Sequence, residues 1–81
     1  MSRINAFAMK KHIIDLLSEA LPAVNFDSDF LFAELDSLGI ATILLILMKE
    51  YHISLDGADV TPKNFKTIDS IVAMVESKLE K

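Results

Sequence analysis

Apolar residues recur at helical spacing near both ends of the chain. The first segment runs from about Arg3 to Leu21 and is closed by Pro22, and its predicted core stripe consists of Phe7, Ile14, Leu17 and Leu21, with Ile13 widening it. The last segment begins after Thr67, a plausible N-cap, and its stripe consists of Ile68, Ile71, Val72, Val75 and Leu79. Each pattern predicts an amphipathic helix.

The central segment, from Ser37 to about His52, is apolar on two sides. A complete core stripe at helical spacing consists of Ile40, Ile43, Leu44, Leu47 and Tyr51. A second stripe, about 140° away at 3.6 residues per turn, consists of Leu38, Ala41, Leu45 and Met48. Such a helix is either buried all round or partly presented to a partner. Because a small bundle has few helices to cover both sides, we expect the second stripe to face a partner.

Two connections join these helices. The segment 22–36 lacks helical periodicity, and we expect it to be a long loop held by its own apolar residues, namely Phe26, Phe30, Leu31, Phe32 and Leu35. The segment 53–66 contains an Asp56-Gly57 turn and room for one short helical turn around Pro62 to Phe65. The pattern predicts an all-α fold, a small antiparallel bundle of three main helices plus one short helix, with residues 1–81 forming a single domain.

Length and composition narrow the possible functions. The chain has 81 residues and no Cys, and 52% of its residues are hydrophobic, with only two Gly and two Pro. A domain of this size has one core and no deep cleft, so we do not expect an enzyme, and a thiol nucleophile is excluded. The apolar run 43–48 is too short to span a bilayer, and the first five residues lack a signal-peptide pattern. We therefore expect a soluble, cytoplasmic protein.

The net charge of −4 is unevenly distributed. No Lys or Arg occurs between Lys11 and Lys49, and that interval contains Asp15, Glu19, Asp27, Asp29, Glu34 and Asp36. An acidic flank of this kind repels nucleic acid and anionic membranes and attracts basic protein surfaces. We expect neither a nucleic-acid partner nor membrane insertion, although charge alone is equally compatible with an ordinary solvated face.

Candidate metal and hydrolase sites lack the residues that they need. His12 and His52 are forty residues apart, without a local cluster of other ligands. The segment 27–29 begins like a calcium loop, but its sixth position is Phe32 where that loop requires glycine. We therefore predict no catalytic residue and no metal site.

Asp36-Ser37-Leu38 lies where the acidic segment meets the central helix. A serine there has its hydroxyl beside unpaired backbone N–H groups at the positive end of the helix dipole, which favours a phosphate ester. An Asp-Ser pair before an apolar run is also a common N-cap, so these three residues alone leave both interpretations open.

Several motifs together resemble the acyl carrier protein family across nearly the whole chain. They are Leu35-Asp36-Ser37-Leu38, the helix exit Tyr51-His52-Ile53, and Asn64-Phe65-Lys66-Thr67-Ile68 followed by Ile71. The resemblance implies that Ser37 receives 4'-phosphopantetheine, which a separate magnesium-dependent transferase takes from coenzyme A. It implies that Asp36 and Leu38 flank the attachment site, with Asp36 fixing the local geometry of the serine.

The resemblance also implies how such a carrier works. The arm supplies the thiol that this chain lacks and tethers acyl intermediates as thioesters, for fatty-acid, polyketide or related specialised biosynthesis. Implied partners are a phosphopantetheinyl transferase and acyl-loading and acyl-processing enzymes, which a monomeric carrier meets through its helix after the serine. We expect the apolar contacts to come from the second stripe, Leu38, Ala41, Leu45 and Met48.

Two departures from the family pattern favour a dedicated carrier over the housekeeping fatty-acid carrier. Glu34 stands where a glycine is common, and the central helix has Glu50 as its only acidic residue. Docking that depends on apolar contact should be less sensitive to salt.

Other interpretations stay open at this point. One is an aminoacyl carrier of the D-alanyl or peptidyl type, and another is a helical protein-interaction module without a prosthetic group. Residues that would line a cleft for the cargo, or else simply pack the core, are Ile43, Leu47, Ile68 and Val72.

Overall fold

The chain folds into a helical bundle in a computed structural model that describes residues 6–80. The helices are α1 (Ala6–Ala20), α2 (Leu31–Glu34), α3 (Ser37–Tyr51) and α4 (Ile68–Leu79), with a 3₁₀ helix at Gly57–Asp59. The described part contains no strand. The predicted all-α bundle of three main helices and one short helix is therefore confirmed, but the short α-helix lies at Leu31–Glu34 and not around residues 62–65, where the chain forms a turn. The predicted start near Arg3 lies outside the described residues.

The three long helices pack against one another around one core. α1 and α3 run antiparallel, since Leu21, just after α1, lies beside Gly39 in the first turn of α3, while His12 in α1 bonds Glu50 in the last turn of α3. At the start of α4, Asp69 forms an ion pair with Lys10 of α1 at 3.0 Å. The buried core consists of Met9, Ile13, Leu17, Phe26, Leu31, Ile43, Leu47, Leu55, Phe65, Ile68, Ile71, Val72, Met74 and Val75.

The buried row of α1 differs from the predicted one. Phe7, placed in the core by its heptad spacing, is 77% exposed, so that prediction is wrong. The buried row instead consists of Met9, Ile13 and Leu17, spaced four residues apart. Phe7 lies about 120° around the helix from Ile13, which is too far to reach α3 and α4.

The core stripe predicted for α3 is confirmed. Ile43 and Leu47 are fully buried, and the flanking positions Ile40, Leu44 and Tyr51 are partly buried against the core. α3 ends at Tyr51, and its C-cap His52 has a backbone in the left-handed conformation (φ 54°, ψ 44°). This conformation stops the helix and turns the chain, although a residue with a Cβ adopts it at some energetic cost.

The segment 22–36, predicted to be a loop throughout, contains the single-turn helix α2. Four residues are too few to produce a periodic pattern of apolar positions, so the sequence does not predict this helix. The N–H of Leu31 donates to the carbonyl of Lys66 at 2.8 Å and so ties α2 to the loop before α4. Phe26 and Leu31 are buried as predicted, and Phe32 and Leu35 are partly buried. Phe30 is 72% exposed, so its predicted role as an anchor is wrong.

The connection between α3 and α4 is held by side-chain bonds. Asp56 and Asp59 cap the 3₁₀ helix reciprocally, and Asp59 also pairs with Lys78 of α4 at 3.0 Å. The predicted turn at 62–65 is present, with the N–H of Phe65 donating to the carbonyl of Thr61.

The predicted cap of α4 is confirmed. The Thr67 hydroxyl accepts from the N–H of Ser70, and the Ser70 hydroxyl accepts from the N–H of Thr67. The Ser70 hydroxyl also lies 2.8 Å from the carbonyl of Asn64, so the cap fixes the preceding loop as well. None of the helices described for this chain has the length and hydropathy that crossing a membrane requires.

Candidate functional site

Ser37 is the first residue of α3 and is exposed. Asp36 precedes it as the N-cap, in an extended backbone conformation, and its carboxylate accepts a hydrogen bond from the N–H of Gly39 at 2.7 Å. The Asp36 carbonyl accepts the first bond of the helix, from the N–H of Ile40 at 3.0 Å. Asp36 thereby fixes the residue at which α3 begins and holds the backbone of Ser37 at the N-terminal end of the helix.

Gly39 is a component of this site that sequence reasoning did not single out. It is buried, and a Cβ at this position would lie 3.2 Å from the Asp36 carboxylate and 3.5 Å from a methyl group of Leu35. The missing side chain therefore lets the carboxylate approach the helix closely. The sequence does contain a signal that Gly39 has a role. Glycine in the first turn of an otherwise apolar helix lowers helix propensity, so its presence indicates that a side chain is not tolerated there.

The start of α3 favours a bound anion on the serine. The backbone N–H groups of Ser37 and Leu38 precede the first intrahelical hydrogen bond, and the helix dipole is positive at this end. Three other acidic residues in the approach to the helix, Asp27, Asp29 and Glu34, are exposed. The start of α3 thus has a local preference for a phosphate ester, and the segment that leads into it is acidic in sequence.

The second stripe of α3 is largely exposed. Leu38 is 74% and Leu45 65% exposed, and Ala41 between them is exposed too; we call these three residues the outer row. Met48, predicted to share this face, is partly buried and packs against the core. The Thr42 hydroxyl beside the row donates to the carbonyl of Leu38 at 2.8 Å and is satisfied within the helix.

Glu50, the only acidic residue of α3, points away from the outer row. Its carboxylate lies 2.7 Å from Nε2 of His12 on α1, and the His12 ring meets the ring of Tyr51 edge-on at 6.4 Å between centroids. The pKa of Tyr51 is raised above its ordinary value because burial disfavours the phenolate, and the charge of Glu50 adds to this effect. His12 and Glu50 therefore join α1 to α3 at the end of the bundle opposite Ser37.

The four residues considered as the lining of a cargo cleft are all in the packed core: Ile43, Leu47, Ile68 and Val72. Within the described residues, no group of three or more His, Asp or Glu side chains is arranged to hold a metal ion.

Comparison with known proteins identifies the family. Searches of curated proteins and of solved structures gave no significant match. A family model described as the phosphopantetheine attachment site matches residues 8–75, which include most of α1, all of α2 and α3, and most of α4. Proteins of this family carry a covalently attached 4'-phosphopantetheine group, are generally carriers without catalytic activity, and interact with phosphopantetheinyl transferases and acyl-processing enzymes. With most of its length matched, this chain belongs to the phosphopantetheine attachment site family and is a carrier protein.

Proposed function

We propose that this protein is an acyl carrier whose 4'-phosphopantetheine arm is attached to the hydroxyl of Ser37. The observation that carries this proposal is the position of Ser37, which is exposed as the first residue of α3, directly after the N-cap Asp36. A transferase can approach a hydroxyl at this position without unfolding any element of the bundle.

The residues around Ser37 fit the prosthetic group. A phosphodiester on the hydroxyl would lie beside the first-turn N–H groups of α3, where a negative charge is favourable. The Asp36 carboxylate is already engaged by the N–H of Gly39 at 2.7 Å, so it holds the backbone in place. The arm would supply the terminal thiol, which this chain lacks because it contains no Cys.

The partner transferase, and not the carrier, catalyses the attachment of the arm. The Ser37 oxygen forms a new bond to the phosphorus of the pantetheine phosphate in coenzyme A, the pyrophosphate bond breaks, and adenosine 3',5'-bisphosphate leaves. The hydroxyl proton passes to a base of the magnesium-dependent phosphopantetheinyl transferase. We assign no catalytic residue and no metal ligand to the carrier.

Residues next to Ser37 have separate roles in this proposal. Asp36 positions the serine through the cap, and Leu38 flanks the attachment point as the first residue of the outer row. The outer row, with the partly buried Met48 at its edge, makes the apolar contact with partner enzymes. The whole chain, residues 1–81, acts as one carrier domain and as a monomer.

The cargo that we propose is an acyl group held as a thioester. Acyl-loading enzymes attach it to the arm, and the carrier delivers it to acyl-processing enzymes of fatty-acid, polyketide or related specialised biosynthesis. Identification of the group on the protein purified from its source, by mass spectrometry of the intact chain, distinguishes an acyl cargo from an aminoacyl one. An aminoacyl group on the arm would contradict this part of the proposal.

The attachment itself is tested by incubating the apo protein with coenzyme A, magnesium and a broad-specificity phosphopantetheinyl transferase. Intact-mass measurement should show the gain of one phosphopantetheinyl group by the wild type and none by Ser37→Ala. Ser54→Ala, which removes another exposed serine hydroxyl, is the matched control and should be modified like the wild type. No gain by the wild type, or equal gain by Ser37→Ala, would contradict the proposal.

A further inference from the structure

Phe30 is a large apolar side chain that the fold leaves in water. It is 72% exposed, whereas the next residue, Leu31, is fully buried. Among residues 6–80, no aromatic ring packs against the ring of Phe30. An aliphatic or aromatic side chain this exposed in a small soluble protein is a candidate contact for a partner.

The backbone holds Phe30 in this exposed position. Its N–H donates to the hydroxyl of Ser28 at 2.9 Å, and its carbonyl accepts from the N–H of Ala33 at 3.1 Å. The next residue, Leu31, is tied to the carbonyl of Lys66 at 2.8 Å and has its side chain in the core. Because both backbone groups of Phe30 are bonded and its neighbour is anchored, a partner that covers the ring has little backbone to order.

The segment that contains Phe30 is acidic. Asp27 and Asp29 are exposed, and neither forms an ion pair with another residue of the described part of the chain. Two further exposed carboxylates, those of Glu34 and Asp36, follow before the start of α3. The loop to which this segment is tied contributes two exposed lysines, Lys63 and Lys66. The segment 27–36 therefore has four formal negative charges, against two positive charges on the adjacent loop.

Phe30 is close enough to Ser37 to lie in the same interface. The four residues of α2 rise about 6 Å, and the next three residues span at most about 3.5 Å each, so the two Cα atoms are within about 17 Å of each other. A standard interface covers about 800 Å² on each partner, which is a patch roughly 30 Å across. An enzyme that covers Ser37 can therefore also cover Phe30.

The reaction proposed at Ser37 indicates which kind of surface meets this segment. The transferase binds coenzyme A next to the serine, and coenzyme A carries several phosphate groups. Phosphate groups in proteins are bound chiefly by Arg and Lys side chains. A transferase surface with basic groups around its coenzyme A site is complementary in charge to the acidic segment 27–36.

We infer that Phe30 is a second contact of this carrier with its phosphopantetheinyl transferase. The ring enters an apolar pocket of the enzyme, and Asp27 and Asp29 face basic groups on the rim of that pocket. The inference rests on the proposed function, because it adds a contact to the complex in which Ser37 is modified. This contact precedes the serine in the chain and is separate from the outer row of α3.

The test measures the initial rate at which a broad-specificity phosphopantetheinyl transferase modifies the full-length apo protein, and it determines kcat and KM separately. The variants are Phe30→Ser, Phe30→Tyr and Asp29→Asn. Phe7→Ser is the matched control for the ring, since Phe7 is 77% exposed but lies on α1. Glu80→Gln is the matched control for the charge, since Glu80 is an exposed carboxylate at the end of α4.

Phe30→Ser should raise KM about tenfold and leave kcat unchanged, because a contact made equally before and during the reaction affects binding alone. Phe30→Tyr should stay within about twofold of the wild type, because the aromatic ring is retained. Asp29→Asn should raise KM about threefold at about 50 mM NaCl, and this effect should fade at about 500 mM because salt screens exposed charges. Both control variants should stay within about twofold of the wild type.

Three results would overturn the inference. One is a rise in KM for Phe30→Ser no larger than that for Phe7→Ser. Another is a loss confined to kcat, which would mean that Phe30 acts through the geometry of Ser37. The third is a large fall in the melting temperature of both Phe30 variants, which would place the ring in the core. Absence of any modification of the wild type would instead contradict the proposed function.

Discussion

The cap formed by Asp36 can be tested by removing its carboxylate. Asp36→Ala loses the 2.7 Å bond to the N–H of Gly39 and leaves the first turn of α3 without a side-chain acceptor. Loss of an N-cap costs about 1 kcal/mol, within a range of about 0.5 to 2 kcal/mol. For a domain of this size, that corresponds to a fall in melting temperature of roughly 4 to 8 °C.

Thermal unfolding followed by circular dichroism measures this change. Asp36→Asn is the matched variant, because asparagine caps a helix about as well as aspartate while lacking its charge. It should melt within about 2 °C of the wild type, given that two equivalent caps differ by a few tenths of a kcal/mol. Ser37→Ala, next to the cap but outside it, should also leave the melting temperature nearly unchanged.

The same variants separate geometry from charge in the modification of Ser37. If Asp36 acts by positioning the serine, Asp36→Asn retains most of the initial rate of pantetheinylation and Asp36→Ala loses more. Equal loss of rate in both variants would refute the positioning role and assign the carboxylate to direct contact with the transferase. A melting temperature of Asp36→Ala equal to that of the wild type would refute the cap itself.

Three further predictions concern the stability of the bundle. His52→Gly should raise the melting temperature, because glycine adopts the left-handed conformation of this residue (φ 54°) without the cost of about 1 to 2 kcal/mol that a Cβ imposes; a lower melting temperature would contradict the assigned conformation. Burial raises the pKa of Tyr51 in the folded protein above its ordinary value of 10.0. As the pH rises, the tyrosine of the unfolded chain therefore loses its proton at a lower pH than that of the folded chain. The stability of the fold should be intact below pH 10 and should fall as the pH rises further. Thermal unfolding of the wild type and Tyr51→Phe in parallel isolates this effect, which should be absent from the variant, and identical pH profiles would exclude it. Ile43→Ala should lower the free energy of unfolding in urea by about 2 to 5 kcal/mol, since Ile43 is fully buried, and a change below about 1 kcal/mol would contradict its place in the core.

The features of the fold that sequence predicted correctly are those set by local chemistry. Thr67 was recognised as a cap because a hydroxyl before an apolar run satisfies an otherwise unpaired N–H, and that bond forms with its own neighbours in the chain. The core stripe of α3 was recognised for a similar reason: Ile43 and Leu47 have the spacing of one helix face.

The errors arose where a residue's environment depends on distant parts of the chain. Phe7 and Met9 both lie on plausible apolar rows of α1, and only the directions of α3 and α4 decide that Met9 is buried and Phe7 exposed. Phe30 and Leu31 are adjacent apolar residues, but only Leu31 is buried. Its burial accompanies a hydrogen bond from its N–H to the carbonyl of Lys66, 35 positions away in sequence. The periodicity of apolar residues identifies the apolar rows of a helix, but it does not show which row is buried.

The candidate site was predictable to a greater extent than the loops because its requirements are local. A capping aspartate before a helix and an apolar row at helical spacing can both be identified within the segment 36–48, although the sequence did not show that Met48 is partly buried. The bonding partner of Glu50 could not be identified in this way, since His12 lies on another helix.

The two apolar sides of α3 differ in how much they contribute to the stability of the fold. Ile43 and Leu47 hold the helix in the core, whereas Leu38 and Leu45 are mostly exposed and contribute little to folding. Substitutions in the outer row should therefore cost little stability, provided that they leave the cap at Asp36 intact. An exposed apolar row raises the risk of self-association, but here it is short and is bounded by Ser37 at one end and Lys49 at the other. An exposed apolar row of this length is what the proposed contact with partner enzymes requires.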